Sequence, residues 1–310
     1  MFDPILGNEP IKAYLRKAIE EDRFPHALLF TGIDGIGKSL FAKDLAHHFL
    51  QTTASRIEQE THPDFHVVRP EGKVGLHSID AFRALITQVH SAPFEAPAKF
   101  FVIHDAERMQ PAAANSLLKT LEEPTEATYF ILISNSLQEI LPTIRSRCSI
   151  LHFHSLSIEQ IASLLKQKGL SEQFALLAQG SAGRAFELAQ REPIEELLFP
   201  FLVERSPYFD LAQALEKIEK AVEDEDPVKQ NRNVDHLFAS IFMWYRDQYV
   251  RKMGKSDLFF PSAPIGSYSL PRLEKIGQVI DESRLAYQRN IKLSVCLEKI
   301  FFNHVEKLPT

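Results

Sequence analysis

With 310 residues, 45% hydrophobic and 25% charged, the chain has an ordinary globular composition and length enough for two or three domains. A net charge of −6 argues against a broad electrostatic footprint for nucleic acid, though not against DNA contact within a larger assembly. Two distant cysteines, Cys148 and Cys296, give no disulfide framework, the N-terminus reads as no signal peptide, and no apolar run reaches membrane-spanning length, so a cytoplasmic protein without a membrane segment is expected.

Taken in chain order, Ile11–Glu21 carries apolar residues at helical spacing. Near-continuous apolar runs predict strands at His26–Thr31, Phe65–Arg69, Lys99–His104, Thr128–Ser134 and Ser149–Phe153. Helical patterns at Leu40–Leu50, Ser78–His90 and Ala112–Glu122 lie between them. This alternation predicts an α/β domain with a parallel sheet covered on both faces. From Ser157, a plausible N-cap, the pattern turns helical, and no strand is expected after Phe153. Gly180–Gly183 and Glu192-Pro193 mark boundaries, and long amphipathic helices follow from about Pro200, broken by a Pro- and Ser-rich loop at Phe259–Pro271. The expected architecture is α/β followed by all-α, divided at 1–155, 156–200 and 201–310.

Within the first domain, Gly32-Ile33-Asp34-Gly35-Ile36-Gly37-Lys38-Ser39 spells G-x-x-x-x-G-K-S between a strand and a helix. Gly32, Gly35 and Gly37 let the backbone N–H groups face phosphate oxygens, and the following helix N-terminus adds positive potential. Lys38 would reach the β/γ-phosphates and Ser39 would hold Mg²⁺ on a bound nucleotide such as ATP. The acidic partner motif is sought at the end of a neighbouring apolar strand, where Phe100-Phe101-Val102-Ile103 is followed by His104-Asp105-Ala106-Glu107. Aligned on Ala106 with Asp-Glu-Ala-Asp, His104 replaces the Mg²⁺-associated carboxylate and Asp105 the water-activating Glu. A neutral imidazole is a poor partner for hard Mg²⁺, and Asp105 is one methylene short. A shifted register instead makes Asp105 metal-associated and Glu107 the base. Both alignments stand at this point, with a degraded hydrolytic site favoured.

Three further blocks are more specific: Asn115-Ser116-Leu117-Leu118-Lys119-Thr120-Leu121-Glu122-Glu123-Pro124, the strand ending Ile133-Ser134-Asn135, and Ser146-Arg147-Cys148. With Arg23-Phe24-Pro25-His26-Ala27 and His62-Pro63-Asp64, they resemble the delta-prime family of bacterial DNA polymerase III clamp-loader subunits, within the AAA+ superfamily. The resemblance is strongest from Gly7 to Phe153 and includes Asn290–Glu298, which is similar to the family's last collar helix. It implies an AAA+ P-loop domain, a helical lid and a helical collar that joins a ring. Implied partners are the delta and gamma/tau subunits, with the sliding clamp and primer-template DNA reached through the complex. It also implies that Arg147 projects as an arginine finger into a neighbouring subunit's ATP site, where spacing alone would leave it paired with a surface carboxylate. Asn135 and Arg184 match the two AAA+ sensor positions. The four-cysteine zinc module of many clamp-loader subunits has no counterpart between Leu50 and Asp64, so no zinc is expected. Two alternatives stay open: an autonomous gamma/tau-like ATPase, and a scaffold that binds no nucleotide.

Overall fold

The computed structural model describes residues 1–70, 76–123, 125–190, 197, 199–203, 208–224, 227–255, 258–261, 263–265 and 270–304. Pro124 and the Glu192-Pro193 boundary lie outside the described residues, as does part of the expected 259–271 loop. The chain divides into two compact units, Met1–Gln190 and Arg191–Thr310.

The first unit is built on five parallel strands, β1 (Ala27–Thr31), β2 (Phe65–Val68), β3 (Lys99–Ile103), β4 (Thr128–Ser134) and β5 (Ser149–His152), in the order β2-β3-β4-β1-β5. β1 and β3 are buried along their whole length, as expected of strands covered on both faces. The two-residue period sends alternate side chains to opposite cores. Leu28, Phe30, Phe100 and Ile131 pack with Phe41 and Leu45 of α2 (Lys38–Leu50). Ala27, Leu29, Phe101 and Phe130 pack with Phe82 of α4 (Ile79–Val89) and Leu117 of α5 (Pro111–Glu122). Around this sheet lie α1 (Glu9–Glu20), α3 (Ala54–Glu58) and α6 (Pro142–Arg145). The two shortest helices are too brief to leave a periodic signature in the sequence.

Between α4 and β3 the chain is tied down by Asp64, which is 2% exposed. Its Oδ1 accepts from the Phe94 N–H at 2.6 Å and its Oδ2 from those of Glu95 and Ala96 at 2.9 Å each. Burial works to raise the Asp64 pKa, but these three donors, with His62, outweigh it and hold the carboxyl below its ordinary value. Asp64→Ala is expected to cost about 3 kcal/mol, since hydrogen bonds to a buried charge are lost and their donors stranded. Chemical denaturation of both proteins across pH checks this. A depressed folded-state pKa gives stability that is present above the unfolded value, about 3.9, and is lost as pH falls through the folded one. The gap between wild type and variant is therefore expected to be full at neutral pH and to shrink only in acid.

The unit closes with α7 (Ile158–Gln167), α8 (Phe174–Leu177) and α9 (Ala182–Gln190), which share a small core of Leu156, Ile161, Leu165, Ala175, Ala178 and Ala185. Ser157 caps α7 through a reciprocal capping box with Gln160.

Among its described residues the second unit carries helices and no strand: α10 (Phe199–Val203), α11 (Tyr208–Val222), α12 (Pro227–Lys252), α13 (Leu273–Gln288) and α14 (Leu293–His304). Leu237, Phe238, Ile241 and Trp244 of α12 are fully buried against α11, α13 and α14. Buried Asp247 accepts from the Phe260 N–H at 2.7 Å, and Arg251 donates to the carbonyls of Phe260, Pro261 and Ala263, so α12 organises the segment that follows it. The last helix starts later than its sequence resemblance implies. Asn290 adopts φ 65° in the turn, and α14 begins only at Leu293.

Candidate nucleotide site

At the C-terminal end of β1 the chain turns through the Gly32–Gly37 loop into α2. Gly37 takes φ 99° as the residue preceding that helix, a conformation that favours glycine. Gly35 takes φ 74° beneath the start of α9: a Cβ there would lie 2.3 Å from Ser181 Oγ and 3.0 Å from Gly183 Cα, and the Gly183 N–H donates to the Gly35 carbonyl at 2.9 Å. A side chain at Gly35 would push the lid helices off the phosphate loop.

Lys38 is 4% exposed. Its ammonium donates to the Gly32 carbonyl, to the Ile33 carbonyl at 2.8 Å and to Asn135 Oδ1 at 3.1 Å. Burial lowers its pKa, against the charges of Asp34, Glu107 and Asp105, which raise it. The sheet register explains the Asn135 contact. Thr31 pairs with Ser134, so the residue after β4 falls beside the start of the loop. The Asn135 N–H in turn donates to Glu107 Oε1 at 3.2 Å.

Around these groups is a cavity of about 330 Å³, within the size range of small-ligand sites. Part of the lining is polar, with Asp34, Gly35, Gly37, Lys38, Ser39, His104, Asp105 and Asn135. The rest of the lining is apolar and was not foreseen from the sequence. Pro4, Ile5 and Leu6 come from the N-terminal arm, Leu156 from the segment before α7, Leu164 from α7 and Phe186 from α9. The arm is anchored by Phe2, which is fully buried and stacked on Phe41 at 4.9 Å, with its N–H on Asp44 Oδ2 at 2.5 Å. Lys12 Nζ donates to the Ile5 carbonyl. The sequence signal available for the arm was the apolar Phe2, Ile5 and Leu6 preceding α1.

His104 is the first residue past β3 and lines the cavity. Burial, assisted by Arg69, pushes its pKa down to about 4, so the ring is neutral at physiological pH. Asp105 turns into the left-handed region, φ 46°, and opens the 3-10 turn Ala106–Arg108. Burial and then the Glu107 charge raise its pKa. Of the residues that could meet the Mg²⁺ a P-loop implies, Ser39 and Asp105 line the cavity. The strand-end position holds an imidazole, and among the described residues no three His, Cys, Asp or Glu side chains gather as for a metal ion.

The other expected residues lie apart from the cavity. Arg184, on α9, does not line it, and its Nη1 donates to Gln179 Oε1 at 2.9 Å. Arg147 follows α6 and is 30% exposed at its side chain. Its Nε donates to Glu122 Oε1 at 2.7 Å and Nη2 to the same oxygen, while Nη1 donates to the Thr143 carbonyl at 2.9 Å and to Ser146 Oγ at 3.2 Å. In the single chain Arg147 therefore holds a surface carboxylate, the pairing that spacing alone suggests. Burial pushes the neighbouring Cys148 thiol up to about 12, which leaves it unreactive.

A five-stranded parallel sheet carrying a P-loop after β1, closed by small helices and followed by a helical unit, is the architecture of the AAA+ type of P-loop protein. Residues 7–157 match the family model described as "DNA polymerase III, delta subunit". The chain is 35% identical over 196 residues to DNA polymerase III subunit delta' of Bacillus subtilis (strain 168), covering 59% of each protein. It is 33% identical over 183 residues to the Escherichia coli (strain K12) delta' subunit, covering 53% of this chain and 54% of that one. The match thus spans little more than half the length of these relatives. The structure of a DNA polymerase III gamma subunit-related protein from Thermotoga maritima aligns over 94% of this chain and 98% of its own, at 17% identity and a TM-score of 0.49. Residues 7–157 are thus similar to the DNA polymerase III delta-prime family.

Proposed function

We propose that this chain is a cytoplasmic delta-prime-type subunit of a replicative clamp loader, assembled with delta and gamma/tau subunits to place the sliding clamp on primer-template DNA. In this reading residues 1–155 hold the nucleotide, 156–200 form the lid and 201–310 serve as the oligomerising collar. The subunit holds nucleotide, turns it over poorly, and supplies Arg147 to the ATP site of a neighbouring subunit.

The observation that carries the weak-turnover reading is His104 lining the cavity at the strand-end position where a metal-binding carboxylate is needed. Asp105 and Glu107 are the remaining acidic candidates, but Glu107 is engaged with the Asn135 backbone, and Asp105, although it lines the cavity, is one methylene shorter than the water-activating glutamate. The scaffold alternative draws support from Lys38, whose ammonium is already satisfied by three acceptors of its own chain.

Two measurements on the purified protein separate the readings. Equilibrium binding of labelled nucleotide is expected to be detectable, while steady-state ATP hydrolysis is expected to stay at background. Sustained turnover by the isolated chain would identify a motor subunit instead. Absence of binding would leave the scaffold.

A further inference from the structure

We propose that Asn8 is a positioning residue for the base of the bound nucleotide, acting by fixing the spacing of two apolar walls of the cavity. The proposal rests on the reading that this cavity takes a nucleotide, and it separates the group that serves the base from those that serve the phosphates.

Asn8 stands at the N-cap of α1, where an asparagine ordinarily turns its side-chain oxygen onto the first N–H groups of its own helix. Here it makes no such bond. Its backbone lies at φ 56°, ψ 39°, a left-handed conformation that asparagine tolerates better than most residues, and its amide is directed across the fold. Oδ1 accepts from the His154 N–H at 2.7 Å, and Nδ2 donates to the His154 carbonyl at 3.2 Å. Both halves of the amide thus pair with the backbone of one residue, two places beyond the end of β5.

The pair joins two segments that line the cavity. Leu6 lies two residues before Asn8 and Leu156 two residues after His154, and both face the same space. Gly7, at φ 78°, lets the segments meet: a Cβ there would lie 2.3 Å from Leu156 Cδ2. The Leu156 N–H donates to the Gly180 carbonyl at 2.9 Å, which carries the tie on to the turn before α9. The polar lining is positioned by other elements, the loop after β1 and the ends of β3 and β4. Walls of this kind suit the flat faces of a heterocyclic base, and their spacing decides the gain, since a gap of about 0.5–1 Å forfeits a quarter to a half of the dispersion attraction.

The test is equilibrium binding of labelled ATP to the purified chain, with competition by tripolyphosphate, which carries phosphates and no base. Asn8→Gly keeps the left-handed backbone accessible and removes only the amide. It is expected to weaken ATP by about tenfold, some 1.4 kcal/mol, and to leave tripolyphosphate binding unchanged. Asn8→Asp, which keeps the size of the side chain but loses the donor to the His154 carbonyl, is expected to lower the same ratio of affinities. A ratio taken within one preparation is insensitive to any fraction of unfolded chain, so a loss of stability alone would not move it. If the ratio in both variants equals that of the wild type, Asn8 only ties the arm down and the inference fails while the nucleotide pocket stands. If wild type holds ATP no more tightly than tripolyphosphate, the apolar walls take no base and the inference fails. If wild type binds neither, the pocket reading fails and the inference with it.

Discussion

Arg147→Ala is expected to lower ATP turnover by about 10³-fold at the site it faces in a reconstituted clamp loader, while the complex still assembles. The size follows from the charge on a transferring phosphoryl group, which a fixed guanidinium stabilises in a water-poor site by about 4 kcal/mol. The contacts of Arg147 in the single chain do not oppose this role. Glu122 is 46% exposed at its side chain, and a solvent-exposed ion pair of that kind contributes only about 0–1 kcal/mol. Exchanging the Glu122 oxygen for a phosphate oxygen across a subunit boundary is therefore cheap beside the expected gain. Thr143 and Ser146 keep the side chain close to the loop after α6 until that exchange takes place. Arg147→Lys is expected to recover little, because a point charge cannot reproduce the planar fork. Turnover measured beside size-exclusion chromatography of the complex checks both parts. Undiminished turnover in an intact complex would remove Arg147 from the chemistry and leave it as Glu122's partner.

Which of these residues could be read in advance follows from how local their signals are. β1 and β3 announced themselves because both faces are covered, so every position is apolar. The P-loop was equally plain, since its glycines, Lys38 and Ser39 are consecutive. Asn135 was legible for a simple topological reason: it ends a strand that pairs with β1 in register. The apolar part of the cavity lining was not, because Ile5, Leu156 and Phe186 come from segments separated by most of the unit and meet only after folding. The Glu122–Arg147 pair spans 25 residues, and nothing in the spacing of the two motifs names Glu122 as the partner. Arg184 shows the limit of motif placement. Its position on α9 is as expected, yet its side chain is turned to Gln179 rather than the cavity. The late start of α14 has a local cause, the left-handed turn at Asn290, which helical spacing in the flanking residues does not reveal.

Lys38→Met is expected to weaken nucleotide binding by about 10- to 100-fold, the loss of charge-assisted hydrogen bonds worth about 1.5–3 kcal/mol. Its effect on folding is expected to run the other way. Lys38 is almost wholly buried, and its lowered pKa, caused first by burial, means that keeping the ammonium charged inside the fold costs stability. For a base with a depressed folded-state pKa, stability rises with pH between the folded and unfolded values, and below the folded value the whole cost is borne. A methionine of similar length removes that charge and keeps the packing against the loop. Two of the three acceptors it abandons remain accessible to water, since Ile33 is exposed and Asn135 lines the cavity. The thermal midpoint is therefore expected to hold or rise while binding falls, the pattern of a residue retained for its ligand at the expense of the fold. Calorimetry and equilibrium binding on the same preparations check the two directions together. A fall in both would make Lys38 a structural cation that holds Gly32, Ile33 and Asn135 in place, and the polar part of the cavity lining would then be a folded core element rather than a phosphate site.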